Sequence, residues 1–420
     1  MTEQMKPSGI DYLGNIPISW DAKRFKYCAQ ICNGGEYADI EVTEGGYPVI
    51  GSGGEFARAS QYCYHGESVL LGRKGTIDKP LYVNDAFWCV DTMFYTKARL
   101  GMVPKFLYYC ALCFRFDYYV TSTALPSMTQ KDLGSEMVAV PSTDEQNAIA
   151  KYLDVKCAKI DGIIADIEKQ IETLQKYKKS LITETVTKGF DKSALMKDSG
   201  IEWIGAIPMH WEIKRLKFML ANCTENMKVG PFGSALSGSD FTDEGKWVYN
   251  QRVVLDNNFE DNDTFISEEK FNEMKGFTVS SGDILITTRG TIGKVAIVPQ
   301  NAPEGILHPC IIKFRVNEDL IMPELLKLIF NESDFVKDQF TLMSNATTIE
   351  VIYSYSLKDI ILPVIPTEEQ KKIYNYLSKK CATIDAIITE KQSSLSAIMQ
   401  HKKSLIYEYV TGKKRVTEVN

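Results

Sequence analysis

The pattern of apolar and polar positions is written twice along the chain. Between Thr143 and Thr187, apolar residues recur at heptad spacing. Leu153, Ile160, Ile167, Leu174 and Leu181 form one row, and Cys157, Ile164 and Ile171 form the other, closed by Lys178. The remaining faces are strongly polar (Lys151, Asp154, Asp161, Asp166, Glu168, Lys169, Glu172). Thr367 to Thr411 repeats the arrangement, with Leu377, Ile384, Ile398 and Leu405 in one row and Cys381, Ile388 and Leu395 in the other; Lys391 and Lys402 break it. A 3-4 alternation held over four heptads predicts a long helix with a coiled-coil seam, and core packing in a helical bundle is the alternative. No proline interrupts either stretch, and Gly162 is the only glycine. Thr143 with Gln146, and Thr367 with Gln370, predict capping boxes just after Pro141 and Pro366. Forty residues of helix extend about 60 Å.

The openings of the two halves also repeat. Ser8-Gly9-Ile10-Asp11-Tyr12-Leu13-Gly14-Asn15-Ile16-Pro17-Ile18-Ser19-Trp20 returns as Ser199-Gly200-Ile201-Glu202-Trp203-Ile204-Gly205-Ala206-Ile207-Pro208-Met209-His210-Trp211. Lys23, Arg24 and Lys26 return as Lys214, Arg215 and Lys217; over positions 8–27, 10 of 20 residues are identical at an offset of 191. The helical block matches at an offset of 224, with 21 of 45 residues identical, so the second half holds 33 more residues between its landmarks. Similar ends thus bracket dissimilar middles. Neutral drift should not spare only the ends, which favours ends that meet the same kind of partner twice and middles that meet different ones. The predicted order is a first domain (1–142), a long helix (143–189), a second domain (190–366), a second long helix (367–413) and a tail (414–420). A second helix that pairs with the first must run back along it. The expected fold is α+β: two mixed α/β domains in tandem, each followed by a long helix, the helices paired as an antiparallel coiled coil with pseudo-two-fold symmetry.

Within the middles, Ile40–Thr43, Tyr47–Ile50, Ser68–Leu71 and Leu81–Val83 read as strands and Pro104–Phe116 as a helix. In the second half Trp247–Val254, Asp283–Thr288, Lys294–Val298 and Ile311–Val316 read as strands and Met322–Phe330 as a helix. Two strand-to-strand turns correspond: Gly72-Arg73-Lys74-Gly75-Thr76-Ile77-Asp78-Lys79 and Thr288-Arg289-Gly290-Thr291-Ile292-Gly293-Lys294. Each offers an Arg, a Thr, a Lys and backbone amides, a set suited to phosphate, and an Arg fork can read guanine in the major groove. Arg73, Lys74, Thr76 and Lys79, with Arg289, Thr291 and Lys294, are therefore the candidate DNA contacts; a solvated basic hairpin tip is the alternative.

Composition and charge complicate that reading. The 420 residues carry a formal net charge of −6, with 24% charged and 44% apolar residues. This is an ordinary globular composition, but an acidic chain argues against a stand-alone nucleic-acid binder. No run of roughly 18 apolar residues predicts a membrane helix, and Met1–Pro7 has no signal-peptide core, so a cytosolic location is expected. Ten scattered cysteines, with Cys110 and Cys113 in an apolar run and four isolated histidines, predict buried reduced thiols rather than a metal site or disulfide framework. No phosphate-loop, serine-elbow, zinc-helix or dinucleotide motif is present, and no Asp/Asn-Pro-Pro-aromatic tetrapeptide. Binding fits better than catalysis; a nuclease built from scattered carboxylates, and a scaffold tethering two protein-binding domains, stay open as alternatives.

Taken together, these residues resemble the specificity subunit of a type I restriction–modification system. The resemblance rests on the Gly-x-Ile-Pro-x-x-Trp openings at Gly14–Trp20 and Gly205–Trp211. It also rests on Pro141-Ser142-Thr143-Asp144-Glu145-Gln146 and Pro366-Thr367-Glu368-Glu369-Gln370 leading into the helices, and on Gly230-Pro231-Phe232-Gly233-Ser234 and Gly282–Lys294 in the second half. Leu71–Lys79 matches more loosely: Lys74 stands where the second half has Arg289, and Asp78 replaces Gly293. The resemblance implies two target-recognition domains, each reading one half of a split double-stranded DNA site. It implies helices that set the spacing and dock two methyltransferase subunits, which would carry adenosylmethionine and methylate adenine. Restriction subunits would add ATP-driven translocation and cleavage. The chain itself would hold no catalytic centre, cofactor or metal.

Overall fold

The computed structural model describes residues 4–119, 125–191, 193–232, 235–344 and 351–416. Gly233 and Ser234 of the motif above, Met1–Glu3 and the last four tail residues lie outside the described residues. The chain divides into two compact units, Met1–Lys169 with Lys391–Asn420, and Gln170–Glu390. Both long helices form, at Thr143–Lys188 and Thr367–Val410, and the division falls inside each of them.

In the first unit the opening makes a hairpin, Met5–Pro7 against Asn15–Pro17. Its turn needs a left-handed residue, which Gly14 supplies at φ 58°. Ile16 and Trp20 go to the core. Asp21–Arg24 then pairs antiparallel with Met137–Val140, the strand that runs straight into the first long helix. The start and finish of the domain are thereby tied at the helix N-terminus. Between them lies a sheet in the order Ala29–Asn33, Met93–Ala98, Tyr64–Gly72, Leu81–Cys89, Tyr47–Gly51, Gly54–Ala59 and Glu41–Val42. It is antiparallel except where Val49 and Ile50 pair parallel with Trp88 and Cys89. The helix Pro104–Ala111 covers it. One core joins Trp20, Phe25, Phe106 and Leu107 to Leu153 and Cys157 of the first long helix and Ile406 and Val410 of the second.

The second unit repeats the frame with a different filling. Met196–Asp198 pairs with Ala206–Pro208, and Glu212–Arg215 with Ile361–Val364. Two four-stranded sheets occupy the middle: Met227–Val229, Ile311–Phe314, Ile284–Thr287 and Val295–Ile297 in one, and Phe241–Thr242, Phe265–Ile266, Lys246–Tyr249 and Gly305–Leu307 in the other. The core gathers Trp211, Leu216, Ile286, Leu325 and Leu357 around Ile182 of the first long helix and Leu377 and Cys381 of the second.

Two local expectations are corrected. The strand expected over Trp247–Val254 stops at Tyr249, and Gln251–Asp256 is helical. Asn250 is the cause: its side-chain oxygen accepts from the Val253 amide at 3.2 Å and caps a helix in the middle of the stretch. The capping boxes also fail in the expected form. Thr143 is the first helical residue and donates to the Gly101 carbonyl, while Ser142 Oγ accepts from the Glu145 amide. Gln146 is buried, accepts from the Val103 amide at 2.9 Å and donates to the Gly101 and Pro141 carbonyls. Gln370 does the same with the Met322 amide and the Leu320 and Ile365 carbonyls. The repeated glutamine is thus a rivet between the long helix and the loop that opens Pro104–Ala111 or Pro323–Glu332, and burial of its amide is tolerable because each polar atom is satisfied.

Between Leu153 and Leu181, and between Leu377 and Leu405, the heptad rows are the sheltered positions and the residues between them are exposed. The row-breaking lysines belong to this pattern. Lys402 Nζ lies 2.5 Å from Asp161 within the first unit, and Lys178 Nζ lies 2.7 Å from Asp385 within the second. Lys178 and Lys402, and Asp161 and Asp385, are equivalent residues of the two copies. Lys178 also meets Glu332 at 2.6 Å.

Candidate nucleic-acid interface

The two corresponding turns sit at the ends of core strands. In the first unit Tyr64–Gly72 ends in the turn, whose Gly75 takes φ 80°. The Gly75 amide donates to the Pro126 carbonyl, and Lys74 bridges to Ser127. In the second unit Ile284–Thr287 leads into the turn, Gly290 takes φ 64°, and Arg289 bridges to Val351. Ile77 is buried beneath the first turn and Ile292 half-buried beneath the second. The tips are therefore anchored on one side and free on the other.

Their side chains divide into two sets. Lys74, Lys79, Arg289 and Thr291 are exposed, and Thr76 is half-buried. Arg73 and Lys294 are engaged within their own domains. The Arg73 guanidinium donates to the Asp91 carbonyl at 3.0 Å and lies over the Phe94 ring. Lys294 donates to the Asn331 carbonyl at 2.5 Å, and burial pulls its pKa below the usual lysine range. Lys74 and Arg289 occupy the same place in the two turns, so the tip position carries a different cation in each domain.

Residues that the sequence did not single out join the second turn. Tyr353 and Tyr355 follow the bridging residue Val351, are both exposed, and stack with their rings 5.4 Å apart and 7° from parallel. Parallel exposed rings beside an exposed arginine offer a stacking and hydrogen-bonding surface. The Tyr-Ser-Tyr spacing was the available signal, but it gains meaning only when the loop folds back onto the turn. The first domain has Thr129 and Lys131 there, with Thr129 capping the helix Gln130–Ser135.

The expectation of buried thiols holds for Cys28, Cys89, Cys110, Cys157 and Cys381, whereas Cys223 is exposed. Burial pushes the Cys113 thiol up to about 12 and the Cys110 thiol well above its ordinary value, which keeps both protonated. Among the described residues no group of three or more Cys, His, Asp or Glu is arranged to hold a metal, and no helix is long and apolar enough to cross a membrane.

The family model for the type I restriction modification DNA specificity domain matches residues 18–173 and 228–397. The chain is 27% identical over 357 residues to the type I restriction enzyme MjaVIII specificity subunit of Methanocaldococcus jannaschii, covering 84% of this chain and 77% of that one. It is 20% identical over 361 residues to the type I restriction enzyme EcoBI specificity subunit of Escherichia coli, covering 84% and 74%. In structure it is similar to a chain solved in work on complex assembly and conformational transition of the type I R-M system. That match has a TM-score of 0.65 and 14% identity and covers 95% of this chain and 99% of that one.

Proposed function

Since the chain belongs to the type I restriction–modification DNA specificity family, we propose that it is the non-catalytic subunit that reads a two-part DNA site on behalf of methyltransferase partners. The observation that carries this reading is the pair of equivalent turns, anchored alike in two otherwise different domains and differing at the exposed tip. Two readers of unlike bases need a common scaffold and unlike tips.

Each domain, bounded as 1–142 and 190–366, reads one half-site. Lys74, Thr76 and Lys79, and Arg289 and Thr291, reach the DNA first; Arg73 and Lys294 act by holding their turns in shape. The long helices pair antiparallel and fix the half-site separation, of the order of one helical turn of DNA, about 34–36 Å. Contacts inside each unit support the pairing. Tyr152, early in one helix, meets Tyr409, late in the other, at 3.1 Å, and Lys178, late in the first, meets Asp385, early in the second. The doubled lysine–aspartate pair supports pseudo-two-fold symmetry. Two methyltransferase subunits dock on the helices and supply adenosylmethionine and most of the phosphate clamp, which suits a chain of net charge −6; restriction subunits complete the system.

Footprinting of the assembled complex tests the proposal: two short protected blocks at fixed separation are expected, and no protected site on DNA would leave a protein scaffold. In the same assay Arg289→Ala should weaken binding by about 1–3 kcal/mol if the fork is bidentate to a base. Unchanged affinity together with an unchanged salt slope would remove Arg289 from the interface.

A further inference from the structure

Building on that reading, we propose that each domain carries a phosphate track leading from the recognition turn, across the short helix beside it, to a basic-aromatic pair in the twice-written opening: Lys26 with Tyr27, and Lys217 with Phe218. These pairs have one geometry. Lys26 Nζ lies 5.1 Å from the Tyr27 ring centre and Lys217 Nζ 5.2 Å from that of Phe218. Both sit on one-turn 3-10 helices, Phe25–Tyr27 and Leu216–Phe218, whose first residue is buried and whose aromatic residue is 62% and 64% exposed. Core packing explains Phe25 and Leu216. It does not explain two large exposed rings, each beside a lysine, at equivalent positions of copies that are only half identical here.

The chain path joins these pairs to the turns. In the first domain the segment bridged to Lys74 continues into Gln130–Ser135, which packs on Phe25–Tyr27 and exposes Lys131. In the second, the segment bridged to Arg289 continues into Ser354–Lys358, which packs on Leu216–Phe218 and exposes Tyr355 and Lys358. The division of sequence fits the division of labour. Phosphates are the same at both half-sites, so a segment that meets them can stay the same in both domains; bases differ, and the turn tips differ. Lys23 and Lys214 are less available, each lying near a carboxylate two residues away, Asp21 at 3.6 Å and Glu212 at 3.1 Å. In the second domain Asp359 approaches Arg215 and Lys217 at 3.2 and 3.5 Å, so the second track should bind more weakly than the first.

The test uses the full chain assembled with its methyltransferase subunits. The double variant Lys26→Ala/Lys217→Ala should lower affinity at about 0.15 M salt by roughly ten- to thirty-fold, and equally for the recognised site and for a scrambled duplex. The slope of log affinity against log salt should flatten by about 2, close to 0.9 per lost phosphate contact. The methylated sequence should not change, and Lys26→Arg/Lys217→Arg should keep both affinity and slope. An unchanged slope and affinity would overturn the track. Loss of methyltransferase subunits from the purified variant would also overturn it, by making the pairs a protein dock. A wild-type complex with no preferred DNA site would overturn the recognition reading beneath it, whatever the variants do.

Discussion

Exchanging residues 21–140 with residues 212–365 should reverse the order of the two half-sites while leaving their separation unchanged. The exchanged segments begin after the repeated Trp20 and Trp211 and end before Pro141 and Pro366. Each carries its own turn, its sheets and the strand pair that closes the domain. The helices stay in place, so the spacing should too. The structure also bounds the cost. Glu332, which meets Lys178, would find the equivalent Lys402 in its new position. Tyr109 donates to Asp154 at 2.6 Å and Lys105 pairs with the same carboxylate; after the exchange both would face Ser378. Losing these partly exposed contacts costs about 1–2 kcal/mol, against the 5–15 kcal/mol typical of whole-domain stability. The binding effect is far larger. Each wrong base pair costs about 1–3 kcal/mol, so affinity for the original site should fall by roughly a thousandfold or more. A swapped chain that still recognises the original site would end the modular reading.

The second large effect is on stability. Trp211→Ala should destabilise the protein by about 3–5 kcal/mol, the range for emptying a buried aromatic site. Trp211 is fully buried, and its indole N–H donates to Glu369 of the second long helix at 2.9 Å. Gly189, just past the end of the first long helix, lies against Pro208 and Trp211. The same arrangement holds Trp20, whose indole donates to Glu145 at 3.0 Å, while Gly412 lies against Pro17 and Trp20. The tryptophan thus ties the domain opening to one helix start and to the segment that follows the other helix. Trp211→Phe keeps most of the volume and loses the hydrogen bond, so about 1–3 kcal/mol is expected. Urea unfolding of both variants measures this; a loss below about 1 kcal/mol for the alanine variant would contradict the role given to the repeated opening.

These two cases show what the sequence could reveal. The long helices were legible because heptad spacing is a local periodic signal, and even Lys178 and Lys402 kept their places in the rows. Their partners, Asp385 and Asp161, are some 200 residues away and could not be read from spacing. The spacing of the repeated glutamine predicts a local capping role; Gln146 instead reaches the Gly101–Val103 loop, a contact of tertiary origin. Asn250 split the stretch from Trp247 to Val254 into a strand and a helix, because a side-chain cap outweighed the strand propensity of its valines. At the candidate interface the turns were legible as repeats. That Arg73 and Lys294 face inward while Arg289 faces out follows from Asp91 and Asn331, which approach only in the folded domain. The tyrosines at 353 and 355 were invisible for the same reason.

This chain alone should set a two-part DNA target for partners that do the chemistry. The decisive measurement is a map of every methylated adenine in DNA from cells that express this chain with its methyltransferase subunit. One motif is expected, two short specific blocks separated by a fixed number of unspecified bases, present only when the chain is expressed. A continuous motif, or methylation that persists without the chain, would contradict it.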